Sequence, residues 1–283
     1  MSSPFYQLQN GSKTLRLSSP RIMGIVNCTS DSFFSGSRFT EDAAVIAGVK
    51  MLNSGADMLD LGGQSSRPGA IEVDAPEEWR RIEAPLKGIL DASPDALISV
   101  DTFHAEVAHK ALEAGAFLIN DIYGGTRDSQ MIEVIKAMQC PYAMMHMQGT
   151  PRTMQDAPTY QDVVSDVILW FQKRLDHLRQ EGIHQLMVDP GFGFGKNIQH
   201  NFDLLSRLHA MNALDCPILV GISRKSMIWK TLDCTADEAL NGTTALHAWA
   251  LERGANILRV HDVSAASEVV RLHEKLTFRP SVE

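Results

Sequence analysis

Short apolar runs, each closed by a polar or charged residue, recur along the whole chain. They end at Asn27 (IMGIVN), Asp60 (MLD), Asp101 (LISVD), Asn120 (FLIN), His146 (YAMMH), Asp189 (LMVD), Ser223 (ILVGIS) and His261 (ILRVH). Nearly continuous apolar character is what strands covered on both faces require. The pattern predicts strands at Ile22 to Asn27, Met58 to Asp60, Leu97 to Asp101, Phe117 to Asn120, Tyr142 to His146, Leu186 to Asp189, Ile218 to Gly221 and Ile257 to Val260. Between them the spacing turns helical, as at Val45, Val49 and Leu52, at Val163, Val167, Trp170, Phe171 and Leu178, and at Val269, Leu272 and Leu276. Each set predicts one stripe packed against a sheet. Helices stop at Gly55-Ala56, Gly115-Ala116 and Gly254-Ala255, and at Gly182, where glycine accepts the left-handed backbone of a helix end.

This alternation predicts an α/β fold, a (β/α)8 TIM barrel in a single domain over residues 21–283, with residues 1–20 as a polar lead-in forming a hairpin at the barrel bottom. A closed parallel barrel gathers its strand ends on one face, so the polar residues that close the runs should share one pocket. At 283 residues and 44% hydrophobic, the chain can bury one such core.

Charge sharpens the expectation. A net charge of −8 argues against broad nucleic-acid binding, which needs a basic surface. Yet Arg67, Arg224, Lys225, Arg259 and His261 all fall at strand ends, so positive charge concentrates in the mouth and a small anionic ligand is expected there. No basic start precedes an apolar stretch and no run reaches the roughly 18 residues of a membrane span, so neither secretion nor membrane insertion is expected. Cys28, Cys140, Cys216 and Cys234 are far apart, which suits reduced thiols in a cytoplasm.

The densest chemistry lies in Asp189-Pro190-Gly191-Phe192-Gly193-Phe194-Gly195-Lys196. Its spacing is not that of a P-loop. The glycines either let backbone approach a flat ligand beside Phe194 or simply make a βα turn. Arg224 and Lys225 either meet a ligand or form a solvated basic face. Asp101, Asn120 and Asp189 should converge, and a carboxylate that accepts two parallel N–H donors suits an aminopyrimidinone edge. The alternative for each is a helix N-cap, which we prefer for Asp60. Arg259 and His261 share one side of a strand and should face phosphate. Two polar segments, Thr29 to Gly36 and Gly62 to Gly69, are placed to act as lids. His104 and His109 are five apart and do not suggest a metal site.

The ordered blocks IMGIVNCTSDSF, DLGGQSSRPGA, SVDTF, INDIYGG, MMHMQGTPRTMQ, VDPGFGFGK, GISRKS and RVHDV resemble those of the dihydropteroate synthase family, from about Arg21 to Val263. The resemblance implies a cytoplasmic transferase of folate biosynthesis, a sulfonamide target, that joins 4-aminobenzoate to a dihydropterin carrying a diphosphate leaving group. It implies that Asp101, Asn120, Asp189 and Lys225 bond the pterin edge, with Met145 and Phe194 near its faces. Asn27, Arg67, Arg259 and His261 would hold the diphosphate, with Mg2+ beside Asn27. Ser66, Pro68, Phe33 and Ser223 would border the 4-aminobenzoate site. A homodimer through helices late in the barrel is also implied.

The chain departs from the family pattern at Ser30 (usually proline), Cys28 (aliphatic), Gln64 (glutamate), Ser66 (threonine) and Trp229 (glycine). Two rival readings are a folate-to-corrinoid methyltransferase on the same barrel, which would not need the diphosphate set, and a non-catalytic barrel that keeps its pocket.

Overall fold

The computed structural model describes residues 6–28, 37–64, 72–150, 153–154 and 157–277. Strands β1 (Tyr6–Asn10) and β2 (Lys13–Leu17) form an antiparallel hairpin. The barrel strands follow: β3 (Arg21–Asn27), β4 (Met58–Gly62), β5 (Leu97–Asp101), β6 (Leu118–Asp121), β7 (Tyr142–Met145), β8 (Leu186–Asp189), β9 (Leu219–Val220) and β10 (Ile257–Val260). All pair in parallel in the order β8-β7-β6-β5-β4-β3-β10-β9. The two ends meet through a parallel bridge between Val188 and Ile218, where the Val188 amide donates to the Pro217 carbonyl at 2.9 Å.

Helices α1 (Ser37–Asn53), α2 (Ala75–Ala92), α3 (Ala105–Glu113), α4 (Met131–Met138), α5 (Val163–Gln180), α6 (Ile198–Ser206), α7 (Ser226–Trp229), α8 (Leu240–Glu252) and α9 (Val263–Thr277) alternate with the strands. Gly55, Gly115 and Gly254 end their helices at φ of 103°, 102° and 97°, which a side chain would resist. The expected bounds hold residue for residue at β5, β8 and β10, whereas the run Ile218 to Gly221 contributes only the two-residue β9.

Strand alternation divides the core in two. Outward residues such as Leu59, Val100, Ile119, Val188 and Leu258 pack against the helices. Inward residues at the strand starts form a separate floor of Met23, Met58, Leu118, Ala143, Met187, Leu219 and Ile257, plugged from below by Leu8, Leu15 and Leu17 of the hairpin. The lead-in therefore does close the barrel bottom.

The final helix departs from expectation. Val263, Ala266 and Val270 are its buried positions, while Leu272 and Leu276 are exposed. Spacing places Val269, Leu272 and Leu276 on one face, but spacing alone does not say whether that face meets the barrel.

Candidate active site

Two positions above most of the floor residues, the same strand sends its next inward side chain into the lumen, and there polar and charged groups appear. Met58 is followed by Asp60, Leu118 by Asn120, Ala143 by Met145, Met187 by Asp189 and Ile257 by Arg259, while Ser99 lies between Leu97 and Asp101. The strand-end residues thus do converge. Arg259 sits among them, its Nε donating to Asp60 Oδ2 at 2.5 Å and a terminal nitrogen to Asp101 Oδ2 at 2.9 Å. Asn120 Nδ2 donates to the same Asp60 oxygen at 3.1 Å.

Asp60 is accordingly no helix cap. Helix α2 begins far downstream and is capped by Asp74, whose side chain accepts from the Glu77 amide at 3.0 Å. Period-two alternation sends Asp60 to the lumen, where it is wholly buried. Burial also pushes the Asp101 carboxyl up to about 7 despite Arg259, with Asp60, Glu78 and Asp121 adding to the rise.

Of the basic pair, only Lys225 faces this pocket. Its Nζ donates to the Phe192 carbonyl and lies 4.7 Å from the Phe194 ring centre. Burial lowers the Lys225 pKa to about 8, partly offset by Asp189. Arg224 does not contribute to the positive mouth. It adopts φ of 53° and grips Asp262 with two hydrogen bonds at 2.7 and 2.9 Å. A bidentate partner 38 residues away decides the matter.

The loop after β8 is held from beneath by Lys196. Its buried ammonium donates to the carbonyls of Gly191 and Phe194, both at 3.0 Å, and of His146 at 3.3 Å, and lies 3.1 Å from His146 Nδ1. Burial lowers the Lys196 pKa to about 7 and, with Lys196 beside it, that of His146 to about 3. Asp189 Oδ1 accepts from the Gly191 amide at 2.8 Å, and burial raises its pKa. A small apolar cluster of Phe103, Ile122, Tyr123 and Met145, with Met147 and Phe194 against it, forms a wall above the polar layer. Sequence reasoning named only Met145 and Phe194. The other four, Phe103, Ile122, Tyr123 and Met147, lie just past strand ends, where no periodicity marks them.

At the rim, Ser223 Oγ bonds the His261 amide at 3.2 Å and its Nδ1 at 3.1 Å. Desolvation, then Arg259, holds the His261 imidazole below its ordinary pKa. Asn27 ends β3, opposite Gly62 of β4, and its side chain makes no hydrogen bond to a described residue. Phe33, Ser66, Arg67 and Pro68, like Ser30, lie outside the described residues.

This arrangement sets acceptors (Asp101, Asn120, Asp189), the donor Lys225 and the paired guanidinium of Arg259 in one layer above the apolar floor. The family model described as pterin binding enzyme matches residues 23–261. Dihydropteroate synthase of Haemophilus influenzae is 42% identical over 269 residues, covering 94% of this chain and 97% of its own. The chain belongs to the dihydropteroate synthase family. Among solved structures, Xanthomonas albilineans dihydropteroate synthase with 4-aminobenzoic acid aligns with a TM-score of 0.91 and 38% identity, covering 98% of this chain and 100% of the other. The same enzyme in complex with 7,8-dihydropteroate aligns with a TM-score of 0.88 and 34% identity, covering 97% and 100%.

Within this family's pattern the departure at Gln64 has a local explanation. Gln64 Nε2 donates to Glu78 Oε1 at 2.9 Å, and Thr102 donates to Glu78 Oε2 at 2.6 Å. Glu78 is fully buried, and a neutral amide satisfies it without a second carboxylate. Cys28, another departure, continues the ladder of β3 through its amide bond to the Gly62 carbonyl at 2.8 Å.

Proposed function

We propose that this chain performs the dihydropteroate synthase reaction, condensing 4-aminobenzoate with (7,8-dihydropterin-6-yl)methyl diphosphate to give 7,8-dihydropteroate and diphosphate. The observation that carries the reading is the ring of Asp101, Asn120 and Asp189 acceptors with Lys225, set on an apolar floor and walled by Met145 and Phe194. An aminopyrimidinone presents parallel N–H donors along one edge and a carbonyl and ring nitrogen beside them. Asp189 and Asn120 would accept from that edge, Lys225 would donate to it, and Asp101 would receive a further N–H once Arg259 yields its place. The pterin faces would lie against Met145 and Phe194.

In the reaction the methylene carbon–oxygen bond breaks, its electron pair leaves with diphosphate, and the amine nitrogen of 4-aminobenzoate forms the new carbon–nitrogen bond and releases a proton. An aromatic amine needs no strong base for this step, so the residues serve chiefly to stabilise departing charge. Arg259, Arg67 and His261 would bind the diphosphate. Ser223, fixed by its bonds to His261, would border 4-aminobenzoate together with Ser66, Pro68 and Phe33.

Mg2+ fits this scheme at Asn27. Among the described residues no group of three His, Cys, Asp or Glu side chains is arranged to hold a metal. Mg2+ needs no such cage, since it is commonly held by one or two protein oxygens, waters and substrate phosphates. The Asn27 carboxamide, without a described partner, supplies such an oxygen. When bound, the ion would neutralise the leaving diphosphate.

The exposed Leu240 and Trp249 of α8 and Leu272 and Leu276 of α9 support a homodimer through these adjacent helices. Four free thiols support a reducing cytoplasm, and no described helix is long and apolar enough to cross a membrane. The reading is tested by diphosphate release with Mg2+ and both substrates. Release that depends on 4-aminobenzoate and yields dihydropteroate is expected, and absence of product at high substrate would overturn it.

A further inference from the structure

Asp60 carries more than an ion pair. Its side chain is wholly buried, and one oxygen, Oδ2, accepts from both Arg259 Nε at 2.5 Å and Asn120 Nδ2 at 3.1 Å, while Oδ1 has no hydrogen-bond partner among the described residues. The residue below it on the strand, Met58, belongs to the apolar floor, so the floor is already sealed without it. A buried ion pair is weak support for stability, because apolar residues of similar volume usually serve as well. Its placement therefore asks for another purpose.

We propose that Asp60 is a positioning residue that locks the pterin-reading and diphosphate-reading groups into one unit. This rests on the roles proposed above for Asn120 and Arg259. Two consequences follow from the geometry. By taking the Nδ2 donor of Asn120, Asp60 fixes the amide so that its carbonyl oxygen is left for the ligand, which gives the slot a third acceptor beside Asp101 and Asp189. By holding Nε of Arg259, it anchors the guanidinium at one end while the terminal nitrogen on Asp101 stays exchangeable. A pterin N–H can then replace that nitrogen on Asp101, and the freed end of Arg259 can turn to the diphosphate without the side chain losing its anchor.

The experiment compares calorimetric binding of 6-hydroxymethyl-7,8-dihydropterin and of its diphosphate ester, with Mg2+ present, to the full-length wild type, Asp60→Asn, Arg259→Lys, Arg259→Ala and the double variant Asp60→Asn/Arg259→Ala. Tighter binding of the ester by the wild type tests the functional reading itself, and its absence overturns that reading, not this one. Asp60→Asn is expected to reduce the ester's advantage over the alcohol about tenfold, the scale of one charge-assisted hydrogen bond. Arg259→Ala should then cost less in the Asp60→Asn background than in the wild type. Arg259→Lys, which keeps the charge but lacks the Nε–H, should reproduce the loss and remains informative if Asp60→Asn fails to fold. Equal weakening of both ligands by Asp60→Asn with additive effects at Arg259, or an Arg259→Lys variant that keeps the full ester advantage, would show that Asp60 is a structural charge only.

Discussion

The barrel lumen has two layers built from the same strands, and they differ in almost every physical respect. The floor of Met58, Leu118, Met187 and Ile257 is dry, apolar and plugged by the hairpin, whereas Asp60, Asn120, Asp189 and Arg259, two residues further along each strand, gather charge in a space almost as buried. Burial stabilises the first layer and strains the second. Desolvation raises the Asp189 pKa, brings Asp101 up to about 7 and Lys225 down to about 8, as expected where ionised groups are kept out of water for use. One inward step on a strand separates an apolar floor from a layer of buried charge.

The largest effect should come from the floor. Met58→Ala leaves a cavity in a packed layer and should destabilise the protein by about 2–5 kcal/mol, read by denaturant unfolding, with pterin affinity of the folded protein unchanged. A large affinity loss would break the division.

Next comes the upper layer. Lys225→Ala should weaken the pterin substrate by roughly tenfold to a hundredfold, corresponding to about 1.5–3 kcal/mol for a hydrogen bond from a charged donor, with little change in unfolding midpoint. The same layer predicts a narrow pH profile. Asp101 must be ionised to accept and Lys225 protonated to donate, so kcat/KM for the pterin substrate should fall below about 7 and above about 8. Asp101→Asn should remove the acid limb, and an unaltered profile would exclude Asp101 from pterin recognition.

His247 provides a control outside both layers. It is buried on α8 with neither ring nitrogen hydrogen-bonded to a described residue, and burial lowers its pKa to about 4. Because the folded pKa lies below the unfolded one, the unfolded chain takes up more protons between about 4 and 6.5, and this group's contribution to stability falls as pH drops through that window. His247→Leu should thus gain about 2 kcal/mol relative to wild type between pH 7 and pH 5, with pterin binding unmoved. A constant difference in stability across that range would contradict a buried neutral imidazole.

The smallest effect concerns the first loop. Ser30→Pro would reduce the freedom lost on closing, an effect of about 0.4–1 kcal/mol, and should lower the Michaelis constant for 4-aminobenzoate by up to about fivefold while leaving pterin binding unchanged. Unchanged 4-aminobenzoate kinetics would mean that this loop does not complete the upper layer.

Much of this division is legible in the sequence, because strand alternation and parallel closure are local and periodic. The shared layer of Asp101, Asn120 and Asp189 is legible from the run ends, and Arg259 from alternation two residues before the run end at His261. What escapes are long-range choices. Asp60 looks like any aspartate before a loop until Arg259, 199 residues away, closes on it. Arg224 and Lys225 are equivalent in sequence, and Asp262 separates them. Lys196 reads as the tail of a glycine loop, though its ammonium ties two carbonyls of that loop to the His146 carbonyl past β7. On α9 Val269 packs against the core as its spacing suggests, but Leu272 and Leu276 are exposed, since periodicity fixes a face and not what covers it.

The most direct test uses two neighbouring inward residues of β8. Unfolding and pterin binding would be measured on Met187→Ala and Asp189→Asn. Met187→Ala should lose about 2–5 kcal/mol of stability and keep its pterin affinity. Asp189→Asn should keep its stability, since it removes a carboxylate that burial disfavours, and should lose at least about tenfold in pterin affinity. Both variants failing in both measurements, or Asp189→Asn binding pterin normally, would contradict a lumen divided into a structural floor and a ligand-reading layer.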